Sequence, residues 1–373
     1  MAELLGTLFS DPAAPITPEA EALALRAHLG PLFYWFSIQR NVPVSEALKQ
    51  AFTSASALQM VHESALKKLF RSLEQAQIPF VPIKGVDLAF RVYPVPALRL
   101  FCDWDILIRE SGHKKLISLL QEDGWVCPSD HCGDYHWGDW NKGRFLLEPH
   151  FSLPNFSGVP VPELWEIIDA SAPSGMQRSL PAELNLIMLY LHTIGGTRHQ
   201  RRLLKLLIDT EFLLRSETVD WRRISDFVRK WHLPHPGVLL DAFPEFFRDR
   251  RKTGIIFPPE QVSALRTLLL SGITTLEQRR VRVFAEDWMS FRWFRKRLMG
   301  FTRASLRLNY PEMGPGKIAY LRCLCLDIFC KAMLLRQGFS AETRAWGQKK
   351  KLIERSWQEF KMNDAEGTDC EKH

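Results

Sequence analysis

Asp103-Trp104-Asp105 stands inside an otherwise mostly apolar run, Phe101 to Ile108, and that combination leaves few conformations open to the chain. On a strand, side chains two apart share a face and adjacent ones point to opposite faces. The run is therefore expected as a strand, with Asp103 and Asp105 converging on one side and Trp104 and Ile106 entering a core on the other. Two carboxylates held together repel unless a cation lies between them, and oxygen donors suit Mg²⁺ or Mn²⁺. The plainer alternative is a sheet edge capped by two acids.

A phosphoryl-transfer site needs a further carboxylate from another element, so that both the attacking and the leaving oxygen can lie on a cation. Glu148 is the candidate, in a strand expected within Arg144 to Leu153, with His150 on the same face two residues on; Asp134 and Asp139 are the reserves. Upstream, Ile78 to Ile83 is short, apolar and bounded by Pro79 and Pro82, which suits a strand near a sheet edge. Lys84-Gly85 follows it directly and a short helix, Val86 to Val92, comes next. A glycine there lets backbone approach a phosphate, a helix N-terminus offers free N–H groups, and the ammonium neutralises a β- or γ-phosphate. An ordinary strand-to-helix turn is the alternative for this dipeptide alone. The order carries more weight than the parts: strand, Lys84-Gly85, helix, Arg99, strand with Asp103 and Asp105, strand with Glu148.

In that order the stretch from Pro79 to Leu153 resembles the uncharacterised nucleotidyltransferase family of the DNA-polymerase-β-like superfamily. The resemblance rests on Lys84-Gly85-Val86-Asp87-Leu88-Ala89, on Leu98-Arg99-Leu100-Phe101-Cys102-Asp103-Trp104-Asp105-Ile106-Leu107, and on Glu148-Pro149-His150-Phe151. It extends over about 80 to 230, where His192 and Asp209 match a histidine on one helix and an aspartate on the next. It implies Asp103, Asp105 and Glu148 as catalytic metal ligands, Lys84, Gly85 and Arg99 as nucleotide contacts, and His150, His192 and Asp209 around them. It implies Mg²⁺ or Mn²⁺ as cofactor, an NTP (ATP by default) as substrate, and an acceptor that is a small molecule, a peptide or RNA. The chain departs from the family pattern at Pro149 and Phe151, which stand for leucine and tryptophan, and at the bulky Trp104. A proline in that strand removes a ladder donor and predicts a bulge or an edge at Glu148.

Around this core the periodicity is helical. Thr17-Pro18-Glu19 is a helix start, and a long helical pattern runs from Ser45 to about Ala76, broken only at the weak stretch Ser54-Ala55-Ser56-Ala57. Gly112 to Asp123 is expected as a helix, Gly124 to Cys127 and Tyr135 to Trp137 as strands, and the polar residues 138–143 as a turn. Pro/Ser/Gly-rich stretches, Pro154 to Pro162 and Pro173 to Pro181, then precede helices expected from Pro181, over Arg202 to Arg215, Trp221 to Trp231, Pro236 to Phe247, Pro259 to Ser271, Thr275 to about Met299 and Ile318 to Gln337. The expected architecture is α+β: a small mixed-sheet polymerase-β-like nucleotidyltransferase core at 78–155, an N-terminal helical segment at 1–77, a helical domain at 156–347 and a charged tail at 348–373.

Asp209 lies in a run so apolar that its carboxylate needs a partner, for which His192, Arg201, Arg202 and Lys205 are near in sequence. Seven cysteines show no CxxC spacing and no disulfide framework, and read as reduced thiols of a cytoplasmic protein. No segment reaches the roughly 18 uninterrupted apolar residues of a membrane span, and Met1 to Pro15 lacks the basic start of a secretory signal. The net charge of +7 favours a polyanionic partner, which keeps open a second class of function: a catalytically silent protein of this fold that binds RNA or a protein partner. The basic, aromatic segment Phe291 to Arg307 suits either a phosphate backbone or an ordinary solvated helix face.

Overall fold

The computed structural model describes residues 9, 16–127, 135–156, 159–171, 175–194, 199–247 and 255–270. They fall into two compact units, one of Met1–Gly195 with Arg201–Ile256, the other of Gly196–Gln200 with Phe257–His373. The first holds the sheet. Helix α1, Pro18–Arg26, begins where the sequence places it, with Thr17 Oγ1 accepting from the Ala20 amide at 3.2 Å. Helix α2, Gly30–Gln39, has no side-chain cap and was not foreseen; its buried residues, among them Leu32, Phe33 and Phe36, hold it instead. Helix α3, Glu46–Gln75, is capped by Ser45 and runs unbroken through Ser54 to Ala57. Its buried side chains at Leu48, Ala55, Gln59, His62, Leu66, Leu69 and Leu73 recur every three or four residues, forming one stripe that lies on the core.

Four strands form a mixed sheet in the order β1-β2-β4-β3: β1 Phe80–Pro82, β2 Asp103–Ile108, β3 Trp140–Lys142 and β4 Phe145–His150. Strand β1 is antiparallel to β2, β2 parallel to β4, and β3 antiparallel to β4. Strand β1 leads into the short helix α4, Lys84–Asp87, which continues as a π-helical turn, Leu88–Val92. Helix α5, His113–Glu122, lies on the crossover that makes β2 and β4 parallel. One face of the sheet is core: Phe80, Trp104, Ile106, Ile108, Trp140 and Leu147 cluster with Leu66, Leu69 and Leu73 of α3 and Leu116 and Leu120 of α5. The opposite face carries the acidic side chains.

Some sequence expectations need correcting. The strands expected at Gly124 to Cys127 and Tyr135 to Trp137 are single bridges, Val126 with Asn141 and His136 with His150, and the turn expected over 138–143 contains β3. Its pattern is short and half polar, so pairing with β4 decides it. Helix α6, Val161–Ser171, occupies part of the stretch between the two Pro/Ser/Gly-rich segments. Strand β4 has neither bulge nor open edge at Glu148, since the register runs unbroken from Asp103 opposite Leu146 to Leu107 opposite His150. Pro149 still accepts from the Trp137 amide at 2.8 Å; the amide that it lacks would have faced the Trp137 carbonyl, and the Trp140 indole donates to that carbonyl at 3.3 Å.

Four helices follow: α7 Ala182–Ile194, α8 His199–Ser216, which belongs to the first unit from Arg201 on, α9 Trp221–Trp231 and α10 Val238–Ala242, the last shorter than Pro236 to Phe247 suggested. In the second unit, α11 spans Pro259–Leu270. Among the described residues no helix is long and apolar enough to cross a membrane. The helices expected over Thr275 to Met299 and Ile318 to Gln337, the basic segment Phe291 to Arg307, the tail from 348 and Asp134 lie outside the described residues.

Trp104 is fully buried, and its indole Nε1 donates to His62 Nδ1 at 2.8 Å, so β2 is bonded to α3 as well as packed on it. Trp104→Ala is expected to destabilise the fold by roughly 3 to 5 kcal/mol, as for large aromatic truncations in a core. Urea unfolding measures this, and a loss under about 1 kcal/mol would contradict the anchoring role.

Candidate functional site

Parallel pairing of β2 with β4 sets Asp105 directly opposite Glu148. Two carboxylates in that position disfavour the pairing, so the surroundings must offset them. Lys84 Nζ lies 2.6 Å from Asp105 Oδ1, and His150 Nε2 lies 2.8 Å from the same oxygen and 3.9 Å from Glu148 Oε2. Asp105 and His150 are buried, and Glu148 keeps 22% of its side-chain surface. Tyr135 stacks on the His150 ring at 5.5 Å with the planes 6° apart, fixing the ring from the side.

The protonation states follow from this arrangement. Burial works against the Asp105 anion, but Lys84 and the His150 bond outweigh it and hold the carboxyl well below the ordinary range. Burial also works against the Lys84 ammonium, and Asp105, with help from Glu148, holds its pKa above the usual value. Glu148 has no such counter-ion to itself: burial, then Asp105, push it up to about 8. His150 is lowered to about 4 by burial, so it is neutral at physiological pH. With its Nε2 proton on Asp105, its Nδ1 is a buried acceptor that meets no partner among the described residues.

Local backbone makes the lysine contact. Lys84 has φ of +53°, a left-handed conformation uncommon for a non-glycine residue and costing on the order of 1 to 3 kcal/mol. Gly85 follows because a Cβ there would stand 2.7 Å from Phe101 Cβ: it is needed for packing against the loop before β2. Asp87, at the end of α4, accepts from Asn185 of α7 at 2.8 Å and from Arg91, which also pairs with Glu217. These bonds fix the short helix from which Lys84 projects.

The structure brings Asp105, Glu148, His150 and Lys84 together. Asp103 shares their face at the other end of β2; it is half-buried and acts on Glu148 through its charge. Arg99 and Asp209 form a separate pair: Arg99 Nε and Nη2 meet the two Asp209 oxygens at 2.7 and 2.9 Å, and Tyr93 donates to Asp209 at 2.5 Å. The partner of Asp209 is therefore Arg99, which the sequence did not suggest for it, and among the described side chains neither His192 nor Lys205 pairs with it; the side chains of Arg201 and Arg202 lie outside the described ones. A planar fork arriving from the turn before β2 matches a carboxylate better than a cation on the same helix can. The remaining Arg99 nitrogen donates to the Leu100 carbonyl at 2.9 Å. His192 lies half-buried in the last turn of α7. Two residues escaped the sequence analysis: Tyr135, and Lys205 as a neighbour of the site rather than of Asp209 alone. Lys205 is exposed and stands one turn before Asp209, where partial loss of water and then Arg99 lower its pKa while Asp209, Cys102 and Asp103 act in the opposite sense. Its i, i+4 spacing from Asp209 was the available signal.

Asp105, Glu148 and His150 each offer one donor atom, and these atoms lie within 4.8 Å of one another. Ligands about 2.0 to 2.6 Å from a common centre produce such a spread; the two carboxylates suit Mg²⁺ or Mn²⁺, whereas the imidazole would suit a later transition ion and only after giving up its bond to Asp105. A family model described as uncharacterised nucleotidyltransferase matches residues 17–240. Neither the search of curated proteins nor that of solved structures finds a match.

Two outcomes are expected. Folded Glu148 holds its proton more tightly than the unfolded residue, whose ordinary value is 4.5, so between there and about 8 its contribution to stability falls as pH rises. Metal-free Glu148→Gln should thus melt above wild type near pH 8.5 and approach it near pH 5. His150, depressed from 6.5, loses stability as pH falls toward about 4 in both proteins alike. Parallel melting curves across that range would contradict the assignment. Asp209→Asn strands the buried Arg99 charge and should cost roughly 3 to 5 kcal/mol in urea unfolding; a loss below about 1 kcal/mol would show the pair to be dispensable.

Proposed function

Because the chain belongs to the uncharacterised nucleotidyltransferase family, we propose that it moves a nucleoside monophosphate from an NTP to an acceptor hydroxyl with release of pyrophosphate. The observation that supports this best is the register that sets Asp105 against Glu148, with His150 on the same oxygen and a lysine at the mouth. Asp105 and Glu148 would hold a divalent cation, with Asp103 extending the donor set toward the open end of β2. When bound, Mg²⁺ or Mn²⁺ supplies charge stabilisation for the triphosphate and lowers the pKa of a coordinated hydroxyl.

The chain's own residues do the remaining work. Lys84 balances phosphate charge, as its ammonium already stands at the carboxylates. His150, neutral and fixed by Tyr135, keeps the Asp105 carboxylate in one orientation. Arg99, whose donors meet Asp209 and the Leu100 carbonyl, serves the nucleotide by holding α8 against the turn before β2, and Lys205 on that helix adds positive charge near Asp103. ATP is the default nucleotide, and the acceptor is a small molecule, a peptide or RNA. Incubation with each α-labelled NTP, Mg²⁺ or Mn²⁺ and cell extract tests this: label in a new product supports transfer. Absence of turnover with every nucleotide and metal would favour the silent, RNA- or protein-binding alternative.

Asp103→Asn and Asp105→Asn should both abolish labelling, but with different structural cost. Asp103 has no ion pair among the described residues and should leave the melting temperature near wild type, whereas Asp105→Asn leaves Lys84 without its carboxylate and should lower it. Label incorporation by Asp103→Asn at the wild-type rate would remove Asp103 from the site.

A further inference from the structure

We propose that Lys84 is a tethered stand-in for the divalent cation, so that metal enters between Asp105 and Glu148 only as the phosphates of the nucleotide draw the lysine away. This rests on the reading of the site as a metal-dependent nucleotidyltransferase centre. The motivating contact is the 2.6 Å pair of Lys84 Nζ with Asp105 Oδ1, whose side chains are 12% and 2% exposed. That oxygen is also the one bonded to His150, so the ammonium stands at an atom of the donor set itself. A cation sharing Asp105 and Glu148 with a full positive charge a few ångströms away is opposed by it, and in a partly buried site such repulsion changes affinity by an order of magnitude or more.

The lysine is built to hold this position and able to leave it. Its backbone is in the left-handed region, next to a glycine packed on Phe101, and its helix is anchored through Asp87 to Asn185. The anchoring acts on backbone and helix, and the only side-chain bond of Lys84 among the described residues is the one to Asp105. A triphosphate offers the ammonium an alternative anion beside the site, and once the lysine transfers, Asp105 is released for the metal. Metal and nucleotide then assist each other, and by linkage each raises the other's affinity by the same factor. Without nucleotide the site binds free divalent ions at least tenfold more weakly.

Mn²⁺ binding by calorimetry, with and without α,β-methylene ATP, tests this without any turnover. Wild type should bind Mn²⁺ at least tenfold more tightly in the presence of the analogue. Lys84→Met, which keeps the stem and removes the charge, should bind Mn²⁺ alone at least tenfold more tightly than wild type, show a larger Mn²⁺-induced rise in melting temperature, and lose most of the coupling. If that variant does not fold, Lys84→Gln and the wild-type coupling alone still decide the matter. Equal Mn²⁺ affinity in wild type and variant, or no effect of the analogue on wild type, overturns the proposal and leaves the metal-centre reading standing. No Mn²⁺ binding to either protein, with or without analogue, overturns both.

Discussion

The opposition of Asp105 and Glu148 across β2 and β4 is the constraint around which the rest of the sheet is arranged. Left alone, two acids at that separation disfavour the pairing, and three different devices offset this. Lys84 and His150 meet one carboxylate directly, and Glu148 retains a proton to about pH 8. None of these would hold if β2 could slip, because a shift of one residue would exchange Asp105 for an apolar side chain and turn Trp104 outward. The buried indole, bonded to His62 and packed under α3 and α5, excludes that slip. The anchor for the acidic face therefore lies on the other side of the sheet.

A second constraint ties the helices to this core. Arg99, Tyr93 and Asp209 form a buried trio between the turn before β2 and the middle of α8, while Asp87 reaches Asn185 on α7. Both links begin within a few residues of groups at the site, Lys84 on one side and Asp103 on the other. Movement of either helix would be felt directly at the carboxylates. The arginine that the sequence suggested for phosphate thus has its donors on Asp209 of α8 and on the Leu100 carbonyl, and the same helix carries Lys205.

Much of the candidate site was legible because it depends on periodicity two, a local property. Asp103 and Asp105 on one face, Trp104 and Ile106 on the other, and Glu148 with His150 on a later strand all follow from alternation along single strands. The helix starts at Thr17 and Ser45 and the span of α9 were equally local. What failed was non-local or marginal. Strand β3 has too few residues to carry a pattern, α2 starts at an apolar residue with no cap, and the partner of Asp209 comes from 110 residues upstream. The left-handed Lys84 had no signal at all, since lysine is not a residue that marks positive φ.

Pro149 and Trp104, the two departures from the family pattern nearest the acids, can be judged from what surrounds them. Each would harm the site only by disturbing a neighbour in the ladder. Trp104 points away from both aspartates and supplies the register lock, so its bulk works for the acidic face. Pro149 removes one donor on the side of β4 turned from β2, where Trp140 of the adjacent strand bonds the carbonyl left over; the β2 side, which aligns Asp105 with Glu148, keeps its register. A proline at residue 148 or 150 would have faced β2 and removed a bond from the ladder that positions the carboxylates. Alternation thus decides which departures such a strand tolerates: substitutions whose backbone groups face β3 leave the acid pair in place, and those facing β2 do not.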